Sequence, residues 1–351
     1  MRVLIASTKQ RLADYTEFAE TLNTLGVETI CVHDVNYYAL SESKVLNHVP
    51  FPKLLKLIKR FNPDFIITNS PYYTVYIAKL VTQRLLVHLR GDMWTESYWY
   101  KTLYPSLFKR TWYQWKTFVM TRGIKKADLI LPICKWLEEK VRQHLPSYPT
   151  QVLYRGIKPE KWSPKHHTRL LKLEHPAVVG VFDFEIYQKV VGLLKFIKSI
   201  EKMPDIHFYF AGNGPYANLV KQKRPSNMFL IGRIPKPGIQ SLLGSGDIFV
   251  HPSGLDAVPR SIAEASLMEK PIIASNVGGI QEIVKDNKTG YLCNINDPDQ
   301  WVEKTRFLLD NPSVAKKLGK NARKFVTDNF SWKKIAEGFV RGLVTKTELI
   351  G

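Results

Sequence analysis

Asp247-Ile-Phe-Val250-His251-Pro-Ser-Gly-Leu-Asp256-Ala-Val-Pro259-Arg-Ser-Ile-Ala-Glu264-Ala265 is the stretch on which the fold turns. A short apolar strand (Asp247–Val250) runs into a loop. A helix is expected to start near Pro259, because proline is pre-organised for a first helical turn. That end of a helix presents free N–H groups and a partial positive charge, which suit a diphosphate or a sugar hydroxyl. Glu264, inside the expected helix, is flanked by Ile262, Ala263, Ala265 and Leu267. A carboxylate in so apolar a setting needs partners. Two ribose hydroxyls would serve, and so would a salt bridge along the helix face. The following segment, Pro271-Ile-Ile-Ala-Ser-Asn-Val-Gly-Gly-Ile-Gln-Glu-Ile-Val284, reads as strand, tight double-glycine turn and helix. Its glycines allow close backbone approach to a ligand.

The same alternation extends outward in both directions. Apolar runs at Arg2–Ala6, Thr29–His33, Phe65–Thr68, Leu85–Leu89 and Leu129–Pro132 are separated by helical patterns such as Lys53–Phe61 and Trp136–His144. A second series comprises Ala177–Phe182, His207–Ala211, Met228–Leu230, Ile248–His251, Ile272–Ser275 and Gly290–Leu292. Strands alternating with helices imply a parallel sheet covered on both faces. The pattern occurs twice, so two doubly wound α/β units are expected. Between them, Tyr154–His175 holds Pro159, Pro164, His166 and His167 without periodicity, as a linker would. A ligand is expected in a cleft between the units, at the carboxyl ends of the strands.

With 351 residues the chain is too long for one ordinary core. Its 44% hydrophobic and 23% charged residues fit a globular enzyme. The opening Met1–Ser7 is too short for a signal sequence and reads as a buried strand. No apolar run reaches the length of about 18 residues that a membrane-spanning helix needs. Cys31, Cys134 and Cys293 are scattered and odd in number, which favours a reducing, cytoplasmic setting. The formal net charge of +20 attracts phosphates, whether on nucleic acid, a lipid surface or a nucleotide, and does not choose among them.

Together, the two quoted segments resemble the donor-binding signature of the retaining glycosyltransferases of family 4, whose fold is known as GT-B. That signature is an acidic residue, seven others and a glutamate, followed by a short strand and a Gly-Gly-x-x-Glu turn. Here the pair is Asp256 and Glu264, and the turn is Gly278-Gly279-Ile-Gln-Glu282. The resemblance extends to Phe210-Ala-Gly-Asn-Gly-Pro-Tyr216 and to Phe229-Leu-Ile-Gly-Arg-Ile-Pro235. It also takes in Val152-Leu-Tyr-Arg-Gly-Ile157 with Trp162-Ser-Pro164, and Phe330-Ser-Trp332. It implies a GT-B fold of two facing Rossmann-like domains. The first would cover 1–155, joined by a crossover helix at about 333–351; the second would cover 156–332. It implies that Glu264 holds ribose hydroxyls, that Asp256 contacts the transferred sugar, and that Lys189 in Tyr187-Gln-Lys-Val-Val-Gly192 neutralises the diphosphate. Gly212, Gly214, Arg233, Ile234, Ala257, Val258 and Pro259 complete the expected donor site.

Some positions depart from the family pattern. No arginine stands between Arg169 and Arg224, where one usually precedes the lysine; Asp183 and Glu185 are there instead. Arg260, Lys236 or an arginine of the first domain is a candidate replacement. Asp256 takes the place of the commoner glutamate, and Ala257 that of a glycine. The first strand ends in Ser7-Thr-Lys-Gln-Arg11 rather than a glycine-rich turn. No Asp-x-Asp motif at a strand end offers a metal site. Asp297-Pro-Asp299 follows a strand in a polar loop and reads as a helix cap. Neither metal nor cofactor is expected.

In the first domain, Leu85-Leu-Val-His-Leu-Arg-Gly-Asp-Met-Trp94 follows a strand. The family often carries a His-Gly or Arg-Asp pair here, on the acceptor side, which makes His88, Arg90 and Asp92 candidates for the reaction alongside Asp256. Strand alternation puts His88 and Arg90 on one face; taken alone, His88 also fits a core histidine. Tyr98–Lys126 holds seven basic side chains, nine aromatic ones and no acidic ones. Phe108, Trp112, Trp115 and Val119 form one helical stripe. A basic amphipathic helix with aromatics suits an anionic membrane surface, and the stripe also suits packing on the sheet.

The expected function is therefore metal-independent transfer of a hexose-type sugar from a nucleoside-diphosphate sugar to an acceptor hydroxyl, with retention. The acceptor would be lipid-linked or a polysaccharide precursor, handled by a cytoplasmic protein peripheral to the inner face of the membrane. Rival readings are a sugar-nucleotide epimerase on the same fold, a nucleic-acid-binding protein, and a transferase that binds without turnover. The nucleic-acid reading is disfavoured because acidic residues punctuate the second half and the aromatics lack a base-stacking motif.

Overall fold

The computed structural model describes residues 1–7, 12–33, 45–46, 51–69, 81, 83–95, 107–164 and 170–350. The chain divides into two compact units, Met1–Gly156 with Trp332–Gly351, and Ile157–Ser331.

In the first unit, strands β1 (Arg2–Ser7), β2 (Glu28–His33), β3 (Val45–Leu46), β4 (Phe65–Thr68), β5 (Arg84–Leu89) and β6 (Leu129–Pro132) form one parallel sheet in the order β3-β2-β1-β4-β5-β6. Around it run helices α1 (Leu12–Thr24), α2 (Phe51–Phe61), α3 (Leu107–Ile124), α4 (Lys135–His144) and the C-terminal helix Trp332–Ile350. Val3, Leu4, Ile5 and Ala6 are fully buried, as expected of a strand covered on both faces. The C-terminal helix is held by stacking of Trp332 on Phe18 at 5.2 Å and by Phe339 against Phe18 at 5.5 Å. The indole N–H of Trp332 donates to Glu17 Oε2 at 3.0 Å. Apolar burial and one satisfied polar tip thus fix this helix on α1.

The second unit contains β7 (Ala177–Val181), α5 (Tyr187–Glu201), β8 (His207–Ala211), α6 (Ala217–Lys223), β9 (Met228–Gly232), α7 (Lys236–Ser245) and β10 (Ile248–His251). There follow α8 (Arg260–Leu267), β11 (Ile272–Ser275), α9 (Ile280–Ile283), β12 (Tyr291–Cys293), α10 (Pro298–Asp310) and α11 (Pro312–Phe330). Its parallel sheet has the order β12-β11-β10-β7-β8-β9. Counted from its own first strand, this is the same order as in the first unit, the doubly wound dinucleotide-fold arrangement. Phe196, Phe208, Phe210 and Trp301 anchor its core.

Every strand expected from the sequence is present, with ends shifted by at most two residues; β3 is the addition. Asp297 caps α10, its side chain accepting from the backbone N–H of Gln300 at 3.2 Å, and Asp299 accepts from Lys202 Nζ at 2.5 Å. The three cysteines are free and buried. Among the described residues, no helix is long and apolar enough to cross a membrane.

Candidate active site

In the second unit, the winding of the sheet reverses between β7 and β10, which lie side by side. The chain leaves β7 through a loop (182–186) into α5, and leaves β10 through another (252–259) into α8. Both loops therefore open at the carboxyl edge of the sheet, where open α/β sheets bind ligands.

Two glycines fix how closely these loops meet. A Cβ added at Gly192 of α5 would lie 2.2 Å from the backbone nitrogen of Gly254, and one at Gly254 would lie 2.3 Å from the carbonyl oxygen of Gln188. The Gly254 N–H donates to the carbonyl of Lys189 at 3.2 Å. Backbone rests directly on backbone, which only glycine permits, and this brings the first turn of α5 to Asp256. Lys189 Nζ stands 3.0 Å from Asp256 Oδ2.

Asp256 is held from three sides. His251 Nε2 lies 3.2 Å from the same Oδ2, and the N–H of Ala257 donates to Oδ1 at 3.0 Å. Its side chain is 9% exposed, so burial pushes its pKa up. The charge of Lys189 and the hydrogen bond and charge of His251 outweigh that, holding the carboxyl well below the usual carboxylate range. Asp256 is an anion at any working pH. His251 ends β10 and is itself buried, with Phe182 at 5.7 Å and Phe249 stacked at 6.5 Å. Ser275 ties the loop to β11, accepting from the Ser253 N–H at 3.0 Å and donating to the Ser253 carbonyl at 2.6 Å.

The double-glycine turn grips the other side of Asp256. Gly278 has a φ of +55°, and a Cβ there would lie 2.0 Å from the Asp256 carbonyl oxygen, to which the Gly279 N–H donates at 3.0 Å. The close approach expected toward a ligand is thus made to the protein's own chain. Gly212 and Gly214 behave alike: added Cβ atoms would meet the backbones of Phe182 and Phe184. They seat the loop after β7. Arg233 is exposed beyond β9, and Ile234 is half-buried beside Gly238.

Helix α8 begins at Arg260, one residue later than expected, with Pro259 as its extended N-cap residue and Val258 buried before it. No side chain caps this end. Glu264 is buried, and the helix-face salt bridge is formed: Arg260 Nε donates to Glu264 Oε1 at 2.8 Å. Arg260, named as a replacement for the missing diphosphate arginine, is thereby engaged with Glu264.

In the first unit, His88 and Arg90 share a face, as strand alternation requires, and both meet Tyr15. The Tyr15 ring lies edge-on to His88 at 5.7 Å and beneath the Arg90 guanidinium at 5.7 Å. His88 is buried, with Nδ1 2.6 Å from the Tyr15 hydroxyl and Nε2 3.0 Å from the Leu153 carbonyl. Arg90 and Arg155 each donate to Asp14, at 2.9 and 2.7 Å. Asp92 serves as a cap for the helical turn at 93–95: Oδ1 accepts from the N–H groups of Trp94 and Thr95, and Oδ2 from the Thr95 hydroxyl. Asp14, Tyr15 and Arg155, to which the sequence assigns no role, converge from segments up to 141 residues apart. The sequence likewise assigns none to His251, although a histidine at a strand end five residues before an acidic site residue is a usable signal.

On α3, Trp115 and Phe118 are 52% and 55% exposed, with Arg122 over the Phe118 ring at 4.6 Å; Val119 is half-buried. Of the expected stripe, Trp115 thus faces outward and Val119 partly inward. The side chains of Phe108 and Trp112, and residues 96–106, lie outside the described residues.

Comparison with known proteins adds to this geometry. Residues 3–161 match the family model described as Glycosyltransferase Family 4, and residues 165–325 match that described as Glycosyl transferases group 1. The chain is 26% identical over 299 residues to a sulfoquinovosyl transferase of Arabidopsis thaliana, covering 80% of this chain and 56% of that protein. It is 29% identical over 217 residues to an uncharacterised glycosyltransferase of Methanocaldococcus jannaschii, covering 60% and 58%. The match thus spans little more than half the length of these curated relatives. Sucrose-phosphate synthase from Thermosynechococcus elongatus superposes with a TM-score of 0.78 at 17% identity, over 100% of both chains. Anabaena HepE, solved with UDP and glucose, gives 0.71 at 14% identity over 98% and 99%.

Proposed function

The chain belongs to glycosyltransferase family 4, with the two parallel-sheet units of the GT-B fold, and from that premise we propose that it moves a sugar from a nucleoside-diphosphate sugar to an acceptor hydroxyl, without a metal and with retention of anomeric configuration. The observation that carries this reading is the meeting of Lys189 with Asp256 at the switch point of the second sheet, one loop ahead of the buried Glu264. An ammonium at that place suits a leaving diphosphate, which gains negative charge as the glycosidic bond breaks. The N–H groups at the start of α8 add to it. Glu264 is the acceptor for ribose hydroxyls, oriented by Arg260. Asp256, held well below the usual carboxylate range, is anionic near neutral pH and suits a hydroxyl of the transferred hexose. On this reading, catalysis is positioning and leaving-group stabilisation. The complex of HepE with UDP and glucose supports a uridine or related nucleotide as donor.

The acceptor we propose is lipid-linked, and the surface that meets the bilayer is α3. Its exposed Trp115 and Phe118, with Arg122 over the Phe118 ring, combine apolar and cationic groups on one helix, and Lys125 follows its end. Such a protein would act at the cytoplasmic face of the membrane.

Sugar nucleotides and free nucleoside diphosphates are screened by calorimetry, and each binder is tested for turnover with polyprenyl-phosphate-linked, diacylglycerol and oligosaccharide acceptors. The expected result is one preferred nucleotide, with an α-linked donor giving an α-linked product by proton NMR. Inverted product removes the retaining mechanism. Absence of binding by every sugar nucleotide and nucleoside diphosphate removes the donor site.

A further inference from the structure

Asp256 Oδ2 accepts from two groups of opposite character. Lys189 reaches it at 3.0 Å from a flexible four-carbon stem and keeps 20% of its side chain exposed. His251 reaches it at 3.2 Å from a buried ring packed against Phe182 and Phe249. The lysine can turn and the histidine cannot. On its other side, Asp256 is fixed through its backbone carbonyl by Gly279 and through Oδ1 by the N–H of Ala257. The carboxylate thus stays where it is whichever way the lysine points. As aspartate, with a single methylene, it has no reach of its own.

We propose that Asp256 and the donor diphosphate compete for the single ammonium of Lys189, and that His251 is the positioning residue that keeps the carboxylate in place once the lysine turns to the phosphates. The inference rests on the donor site proposed above and adds a coupling within it. A diphosphate carries more charge than one carboxylate and offers more acceptor oxygens, so it draws the ammonium away. Oδ2 then keeps the His251 N–H and has acceptor capacity to spare. A sugar hydroxyl donating into that position replaces the lost hydrogen bond. Phosphate binding thereby prepares the sugar end of the site, and a nucleoside diphosphate without its sugar leaves Asp256 short of a partner.

The test is calorimetry with pyrophosphate, UDP and GDP on the full chain. Asp256→Asn releases the ammonium and binds these anions more tightly than wild type, by about fivefold or more. In a Lys189→Met background the same substitution gives no gain. A similar gain in both backgrounds would be a long-range charge effect and overturns the competition, as does unchanged or weaker binding in Asp256→Asn alone. Asp256→Ser serves if the asparagine variant fails to fold. For His251, the readout is how much more tightly the best binder among UDP-glucose, GDP-mannose and ADP-glucose is held than its nucleoside diphosphate alone. His251→Phe keeps the ring and loses the donor, so this preference shrinks while pyrophosphate affinity holds; His251→Gln restores part of it. Equal behaviour of the two variants overturns the positioning role. Wild-type protein that binds none of these ligands rejects the donor site and the coupling with it, whereas binding without the gain in Asp256→Asn rejects the coupling alone.

Discussion

The hydroxyl of Tyr15 lies 2.6 Å from Nδ1 of His88, across the ring from the Leu153 carbonyl that fixes where the histidine carries a proton. The Leu153 carbonyl, 3.0 Å from Nε2, can only accept. Nε2 therefore carries an N–H, which in a neutral ring leaves Nδ1 to accept from the tyrosine. With both ring nitrogens engaged, His88 joins α1, β5 and the segment after α4 inside the first unit.

Tyr15→Phe leaves Nδ1 of a buried ring without this donor. The expected loss is about 1–2 kcal/mol of stability, measured by urea denaturation. A variant as stable as wild type would mean that His88 does not depend on the tyrosine.

Asp256 supplies an acid-sensitive part of the stability. Its folded pKa lies below its unfolded value of about 3.9. Its contribution is therefore complete above that value and is lost as pH falls toward the folded pKa. The stability difference between wild type and Asp256→Asn should change by about 1 kcal/mol, against wild type, between pH 6 and pH 3. A difference constant over that range would show that the carboxyl titrates alike in both states.

Glu264→Ala removes the proposed ribose partner and leaves Arg260 without its helix-face ion pair. Because Arg260 is partly exposed, the fold should tolerate the change. Affinity for UDP-glucose or the preferred donor should fall at least about tenfold, as for a lost charge-assisted hydrogen bond. Retained affinity would reduce Glu264 to the salt bridge.

Trp115→Ala with Phe118→Ala should release the protein from vesicles containing phosphatidylglycerol in flotation at low salt. Wild type should bind these vesicles and not pure phosphatidylcholine, and raised salt should weaken it. Failure of wild type to float with anionic vesicles removes the membrane proposal.

The fold was legible because the central strands of both sheets are buried on both faces. A run such as Val3–Ala6 must be apolar throughout, and it announces a strand without any knowledge of its neighbours. Lys189, Asp256 and Glu264 were named as a site only through their resemblance to a known signature. Their contacts were not legible. The Lys189–Asp256 ion pair depends on two glycines whose closeness no periodicity encodes, and the convergence of Asp14 with Arg155 depends on the winding of an entire sheet. The α3 stripe shows the same boundary. Spacing reveals which residues share a helix face, but only tertiary packing decides which face turns inward, and it leaves Trp115 outside.

The glycine contact between Gly192 and Gly254 has a bearing on how this protein can diversify. In the proposed donor site, the floor beneath the phosphates would have no side chain to trim or enlarge. Even a methyl group there would push apart the two charges above it. On that proposal, new donor preferences would arise at the periphery, where the exposed Arg233 and half-buried Ile234 follow β9.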